Sequence, residues 1–236
     1  MFPIAKAPDV LSIFSEYSSE VPDELDLRFF LSHPPGGSPG VAGFSVCYSG
    51  REKDAERVLA PIRRLGTPSG DTVRAVDYVA LQRSGDNDDP RARAAYLKSG
   101  FIPEMPAALL TTIVEGLEAH PARRTGVSYT LGGGAIGRVA NDGTAFSHRD
   151  AIGHLLATVD WKHGDNPTEH IAWLRQYWES LEPFTRGFYT NDMEPDATVA
   201  AVNANYRENY ARLVTTKNKY DPTNLFRLNA NVEPTV

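Results

Sequence analysis

Residues 24–31 read ELDLRFFL, and the fold class turns on that stretch. Leu25, Leu27, Phe29 and Leu31 fall at every second position, which is the period of a strand and not of a helix. Asp26 and Arg28 sit between them, so one face is apolar and the other polar. A strand of this kind belongs to a sheet that is covered on one side.

The neighbours extend the same reading. PPGGSPG (34–40) is a loop, and FSVCY (44–48) alternates again through Phe44, Val46 and Tyr48. That register turns Cys47 to the opposite side, where it reads as a quiet small residue. AYLKSGFI (95–102), GVSYTL (126–131) and HLLATVDW (154–161) supply further strands. Helices are expected at 8–19 (Val10, Phe14, Tyr17), 51–65 (Val58, Leu59, Ile62, stopped by Gly66) and 106–119 (Leu109, Ile113, Leu117). Another is expected at 167–181, where Asn166 caps and Pro167 suits the first position. The last is expected at 198–220, ended by Pro222. GDNDDP (85–90) reads as a polar surface loop. Strands and helices do not alternate strictly, so a parallel doubly wound sheet is disfavoured. The expected fold is one α+β domain over residues 1–236, an antiparallel sheet with helices packed on one face.

Composition excludes several function classes. The net charge is −6 over 236 residues, which argues against a general nucleic-acid binder, since phosphate neutralisation needs clustered Lys and Arg. No apolar run approaches the roughly 20 residues of a membrane-spanning helix. One cysteine and six histidines, without metal-ligand spacing, give no metal site. The N-terminus shows no signal-peptide pattern, and a reducing, cytoplasmic setting is expected.

Three stretches bear on chemistry. GGGAIG (132–137) has dinucleotide-loop spacing, but no amphipathic helix follows to hold a pyrophosphate. A glycine-rich bend, or close approach of a ligand to the backbone, is the other reading. In AFSHRD (145–150), His148 and Arg149 precede a strand, and Arg149 either pairs with an acidic neighbour or lines a pocket. In GFYTND (187–192), read as a strand, Tyr189 and Asn191 share a face. They either line a site or are a half-buried phenol followed by a turn asparagine.

The tail favours the site. NYARLVTTKNKYDPTNLFRLNANV (209–232) resembles the C-terminal signature of the berberine bridge enzyme-like FAD-linked oxidases, matching through Lys217, Lys219, Tyr220, Asp221, Pro222, Asn224, Leu225, Phe226 and Arg227. YLKSGF, TAFSHRD, the Trp161 strand, HIAWLRQYWESLEPF and FYTND follow in the family's order. The resemblance covers the whole chain and implies the family's substrate domain, with the berberine-type segment at about 186–232. Nothing matches the flavin-binding unit that carries the covalent flavin attachments, so FAD and a flavin-binding domain or subunit are expected from elsewhere. Tight FAD binding by this chain alone is not expected.

The resemblance further implies Tyr189 as the catalytic group near the flavin's reactive edge, and Asn191, Asn229 and Asn231 beside the flavin ring. Leu225 and Phe226 would pin the tail, and Lys98, His148 and Arg149 would line a substrate pocket. The implied reaction is oxidation of an alcohol or related carbon of a small molecule by hydride transfer to flavin. Two departures stand out. Leu155, Leu156 and Ala157 occupy the region where plant-type members carry Gln or Glu, and Asp192 replaces a phenylalanine. The missing Gln or Glu, together with the missing flavin-binding unit, favours the alternative of a non-catalytic chain that kept the fold and binds a small molecule or a partner.

Overall fold

The computed structural model describes residues 1–86, 89, 92–194 and 197–236. Its elements, in chain order, begin with β1 (Phe2–Pro3), α1 (Ala7–Ser18), β2 (Leu25–His33), β3 (Val41–Tyr48), α2 (Ala55–Arg63) and α3 (Tyr78–Gln82). They continue with β4 (Arg93–Ile102), α4 (Ala107–Gly116), β5 (Arg123–Leu131), α5 (Gly134–Gly137) and β6 (Gly153–Lys162). Helices α6 (Thr168–Leu181), α7 (Val199–Asn205) and α8 (Tyr210–Tyr220) complete the series. Of the polar loop expected at 85–90, residues 87, 88 and 90 lie outside the described residues.

The strands form one six-stranded sheet in the order β1-β3-β2-β5-β6-β4, and every pair is antiparallel. Alternation decides which side is covered. Leu25, Leu27, Phe29 and Leu31 of β2 are buried, as are Val127 and Tyr129 of β5 and Leu155, Ala157, Val159 and Trp161 of β6. Register places Phe29 beside Tyr129 and Tyr129 beside Leu155, so these side chains point to one side. Helices α1, α4 and α6 lie on that side and contribute Val10, Leu11, Phe14, Leu109, Ile113, Leu174, Trp178 and Leu181 to the core. At its centre the Phe14 ring meets Phe29 edge-on at 4.9 Å, and Phe29 stacks on Tyr129 at 5.5 Å.

The structure departs from the sequence reading in four places. First, the helix expected at 198–220 is broken, with Arg207 at φ 47°. The break lets Asn205, Arg207 and Asn209 face one loop, which a continuous helix would not allow. Asn209 Nδ2 donates to Asn141 O and to Ser147 Oγ, both at 2.7 Å, and Arg207 reaches Ser147 O and Asp150. Second, GFYTND is not a strand. Only Arg186 bridges to β4, at Phe101, after which Gly187 turns at φ 55° and Thr190–Asp192 close a 3-10 turn. Third, the glycine run is not a bend within a strand: β5 ends at Leu131, Gly133 turns at φ 95°, and a single helical turn follows. Fourth, Tyr78–Gln82 is a short helix that buries none of its residues, started by Asp77, whose carboxylate accepts from Val79 N and Ala80 N.

Candidate functional site

The second side of the sheet is where the site assembles. On β6, His154, Leu156, Thr158 and Asp160 alternate with the core residues and are only half-buried. Register sets Ser128 and Thr130 of β5 beside Leu156 and His154, and Ser99 and Phe101 of β4 on their other flank. This face is polar and small-residue-rich, and the helices packed on the sheet lie on the opposite one. The segment after α6 runs along its β4 edge.

Gly187 fixes that segment. A Cβ there would stand 2.4 Å from Asn205 Oδ1 and 2.6 Å from His148 Cε1, and its φ is left-handed. The close approach is held by a set of hydrogen bonds. Asn205 Oδ1 accepts the Phe188 N–H at 2.9 Å. His148 Nε2 lies 3.0 Å from Asn205 O and 3.1 Å from Oδ1, and since both are acceptors, Nε2 is the donor. Burial pushes the His148 pKa down, against the Asn205 hydrogen bonds that raise it. Its ring stacks on Phe101 at 4.4 Å. Gly187→Ala is therefore expected to destabilise the chain by about 1–3 kcal/mol through left-handed strain alone, with the clash adding to it. Thermal melting together with hydrogen exchange at the Phe188 amide measures this, and an unchanged melt would mean the segment is free to move.

Beyond Gly187, Tyr189 is 40% exposed, and Asn191 Nδ2 donates to its hydroxyl at 2.8 Å. The two are thus together, by a turn and not by a shared strand face. His154 meets the Tyr189 ring edge-on at 6.0 Å, and its Nε2 lies 3.4 Å from Asp192 Oδ2. Sequence reasoning missed His154 and Asp192 as partners. Asp192 at a position where the family carries an apolar ring was the available signal.

The other expected residues separate. Lys98 pairs in register with Ala157, on the helix side, and its ammonium binds Glu194 at 2.7 Å, as does Tyr96 through its hydroxyl. His148 is buried beneath Phe101 rather than lining open space. Arg149 is spent on Ile136 O and Thr144 Oγ1 and lies over the Phe146 ring. Lys98, His148 and Arg149 do not converge on one pocket. Asn229 and Asn231 line a groove with Met193 and Glu194, next to the Tyr189 segment.

The tail motif has a local explanation. Asp221 accepts from Leu225 N and Phe226 N while Lys217 binds both the Asp221 carboxylate and Phe226 O. Lys217 holds the Asp221 carboxyl below the usual carboxylate range. Asn224 takes φ 55°, which asparagine tolerates. Leu225, Phe226 and Leu228 are not pinned down: they are 70%, 78% and 84% exposed. The turn that Asp221 builds presents them outward, and no described residue covers them.

Which residues could hold a flavin follows from these facts. A four-residue helix after Gly133 offers no cradle for a pyrophosphate. Asn191 donates Nδ2 to Tyr189, and Asn229 and Asn231 line the groove beside that segment. Among the described residues no cluster of three or more His, Cys, Asp or Glu could hold a metal ion, and no helix is long and apolar enough to cross a membrane.

A family model for berberine and berberine-like proteins matches residues 188–233. An FAD-linked oxidoreductase of Dictyostelium discoideum is 26% identical over 239 residues, covering 99% of this chain and 51% of that protein. The Bacillus subtilis FAD-linked oxidoreductase YgaK is 28% identical over 190 residues, covering 79% of this chain and 42% of that one. The chain spans about half the length of the curated relatives it matches. A single-residue variant of berberine bridge enzyme superimposes with a TM-score of 0.81 at 19% identity, over all of this chain and 54% of that one. 6-Hydroxy-D-nicotine oxidase from Arthrobacter nicotinovorans does so with a TM-score of 0.78 at 20% identity, over 98% and 52%. At that identity the superpositions establish the fold.

Proposed function

Because the chain is related to the berberine bridge enzyme-like FAD-linked oxidases, we propose that it is the substrate-binding part of an FAD-dependent oxidoreductase. On this reading residues 1–236 form one substrate domain with the berberine-type segment at about 186–232, working with a flavin-binding domain or subunit. The observation that carries it is the half-buried, polar sheet face with Tyr189 and Asn191 turned over its β4 edge. A small alcohol would lie on that face. Bound flavin supplies a two-electron acceptor for a hydride from the substrate carbon. The chain's own work is to seat the substrate oxygen against the Tyr189 hydroxyl, to meet the flavin ring edge with Asn191, Asn229 and Asn231, and to exclude water.

The exposed Leu225, Phe226 and Leu228 support a partner surface. Burying apolar area contributes about 25 cal/mol per Å², and three such side chains left bare are unusual away from an interface. Leu155, Leu156 and Ala157, in the region where the family's plant-type members carry Gln or Glu, favour the second reading of a non-catalytic binding protein.

Mixing the purified chain with excess FAD is expected to leave it colourless after gel filtration, since its glycine run leads into a single helical turn. Adding a flavin-binding domain from a relative is expected to give a yellow complex in which amides of residues 224–230 are protected from exchange. A stoichiometric yellow complex from the chain alone overturns the division of labour. No complex with any flavin domain favours the second reading.

A further inference from the structure

Resting on the flavin-oxidase reading, we propose that His154 and Asp192 are the acid–base pair of this site, His154 accepting the proton of the substrate hydroxyl as hydride leaves the same carbon. His154 stands on the half-buried face of β6, one pleat repeat from Leu156 and flanked in register by Phe101 of β4 and Thr130 of β5. It is 22% exposed, and Asp192 is 19% exposed. Both are sheltered enough for their charges to matter, and His154 is still reachable from the open face.

The geometry follows a base-plus-orienter arrangement. Nε2 is buried and closes no hydrogen bond, lying 3.4 Å from Asp192 Oδ2. A small rotation closes that contact once the ring is protonated. Nδ1 has no hydrogen-bonding partner among the described residues and is the nitrogen left for a substrate. Tyr189 packs edge-on against the imidazole, so the phenol and the imidazole border the same patch of the face. The groups facing His154 come from three elements. Phe101 from β4 and Thr130 from β5 bring no charge, and the 189–192 turn brings Tyr189 and Asp192.

The step balances. The substrate O–H gives its proton to His154, the C–H hydrogen leaves with both bonding electrons to an oxidised flavin, and the C–O bond becomes C=O. An imidazole titrates near neutrality, which suits it to take up and give back a proton there. Burial pushes the His154 pKa down, and the Asp192 carboxylate pulls it back up. Removing Asp192 therefore lowers it further, and the neutral, proton-accepting form persists to lower pH.

The decisive measurement needs no flavin. Imidazole resonances of the isotopically labelled full chain are followed across the acid-to-neutral range, with His154 assigned by its loss in His154→Gln. Asp192→Asn is expected to move the His154 midpoint down by about one pH unit, and Asp192→Glu to restore it. The other histidine resonances report that the fold is intact. An unmoved midpoint in Asp192→Asn overturns the pair.

The second arm joins the chain to a flavin domain and follows anaerobic flavin reduction with glucose and chitobiose as probe alcohols. The rate is expected to rise with pH through the His154 midpoint. His154→Gln should lose that rise and slow reduction about 10²–10⁴-fold. A His154→Gln enzyme that keeps both rate and pH limb overturns the catalytic assignment. If the parent complex reduces no flavin with either probe, the oxidase reading fails, and the pair is judged on the titration.

Discussion

Tyr189→Phe, in the chain joined to a flavin domain, slows anaerobic reduction of the flavin by about 10²-fold. The ring is kept and only the hydroxyl goes, so packing against His154 survives. The 40% exposure of Tyr189 means that little burial is lost. What disappears is the acceptor for Asn191 Nδ2 and the hydroxyl that holds the substrate oxygen next to the base. The effect therefore belongs to the reductive half-reaction, and the melting temperature should stay close to that of the parent. Stopped-flow reduction in parallel for both proteins decides it. Equal rates would make Tyr189 a packing residue and remove it from the chemistry.

Phe29→Ala gives the largest expected loss of stability, about 3–5 kcal/mol. Phe29 is fully buried at mid-strand in β2 and touches two rings, Phe14 edge-on and Tyr129 face-on. Truncation leaves a void that α1 cannot fill without leaving the sheet, and it exposes the already unpartnered Tyr129 hydroxyl to an emptier pocket. Chemical denaturation of the purified variant measures the loss. A cost below about 1 kcal/mol, the range of surface changes, would mean that the aromatic cluster is not the centre of the core.

The strands were legible because their signal is local. Leu25 to Leu31 and Leu155 to Trp161 carry their own period, and the side they bury follows from it. Helices α1 and α6 were legible for the same reason. The site was legible only in part. Tyr189 and Asn191 lie within one short stretch, so their company could be read directly. His154 and Asp192 are brought together by the turn at Gly187, whose geometry depends on His148 and Asn205 from two distant elements. No window of sequence contains that information. The break at Arg207 has the same origin, since a residue with an ordinary helical neighbourhood is pulled to positive φ by Asp150 and Ser147. The tail misled in the opposite direction. Leu225 and Phe226 were expected to pin the tail, yet within this chain the Lys217–Asp221 turn faces them outward.

The strand order has a kinetic consequence. β2 and β3 can pair as soon as both exist, but the other edge of β2 waits for β5, with Ser32 bonded to Thr125 from 93 residues away. β4 in turn has no partner until β6 is made. Closing such loops costs entropy before any contact repays it, and sheets dominated by distant pairings fold in milliseconds to seconds rather than microseconds. During synthesis the β2–β3 hairpin must therefore stand with the free edge of β2 bare until β5 is made. That interval is when an unfinished chain is most open to pairing with a second copy of itself.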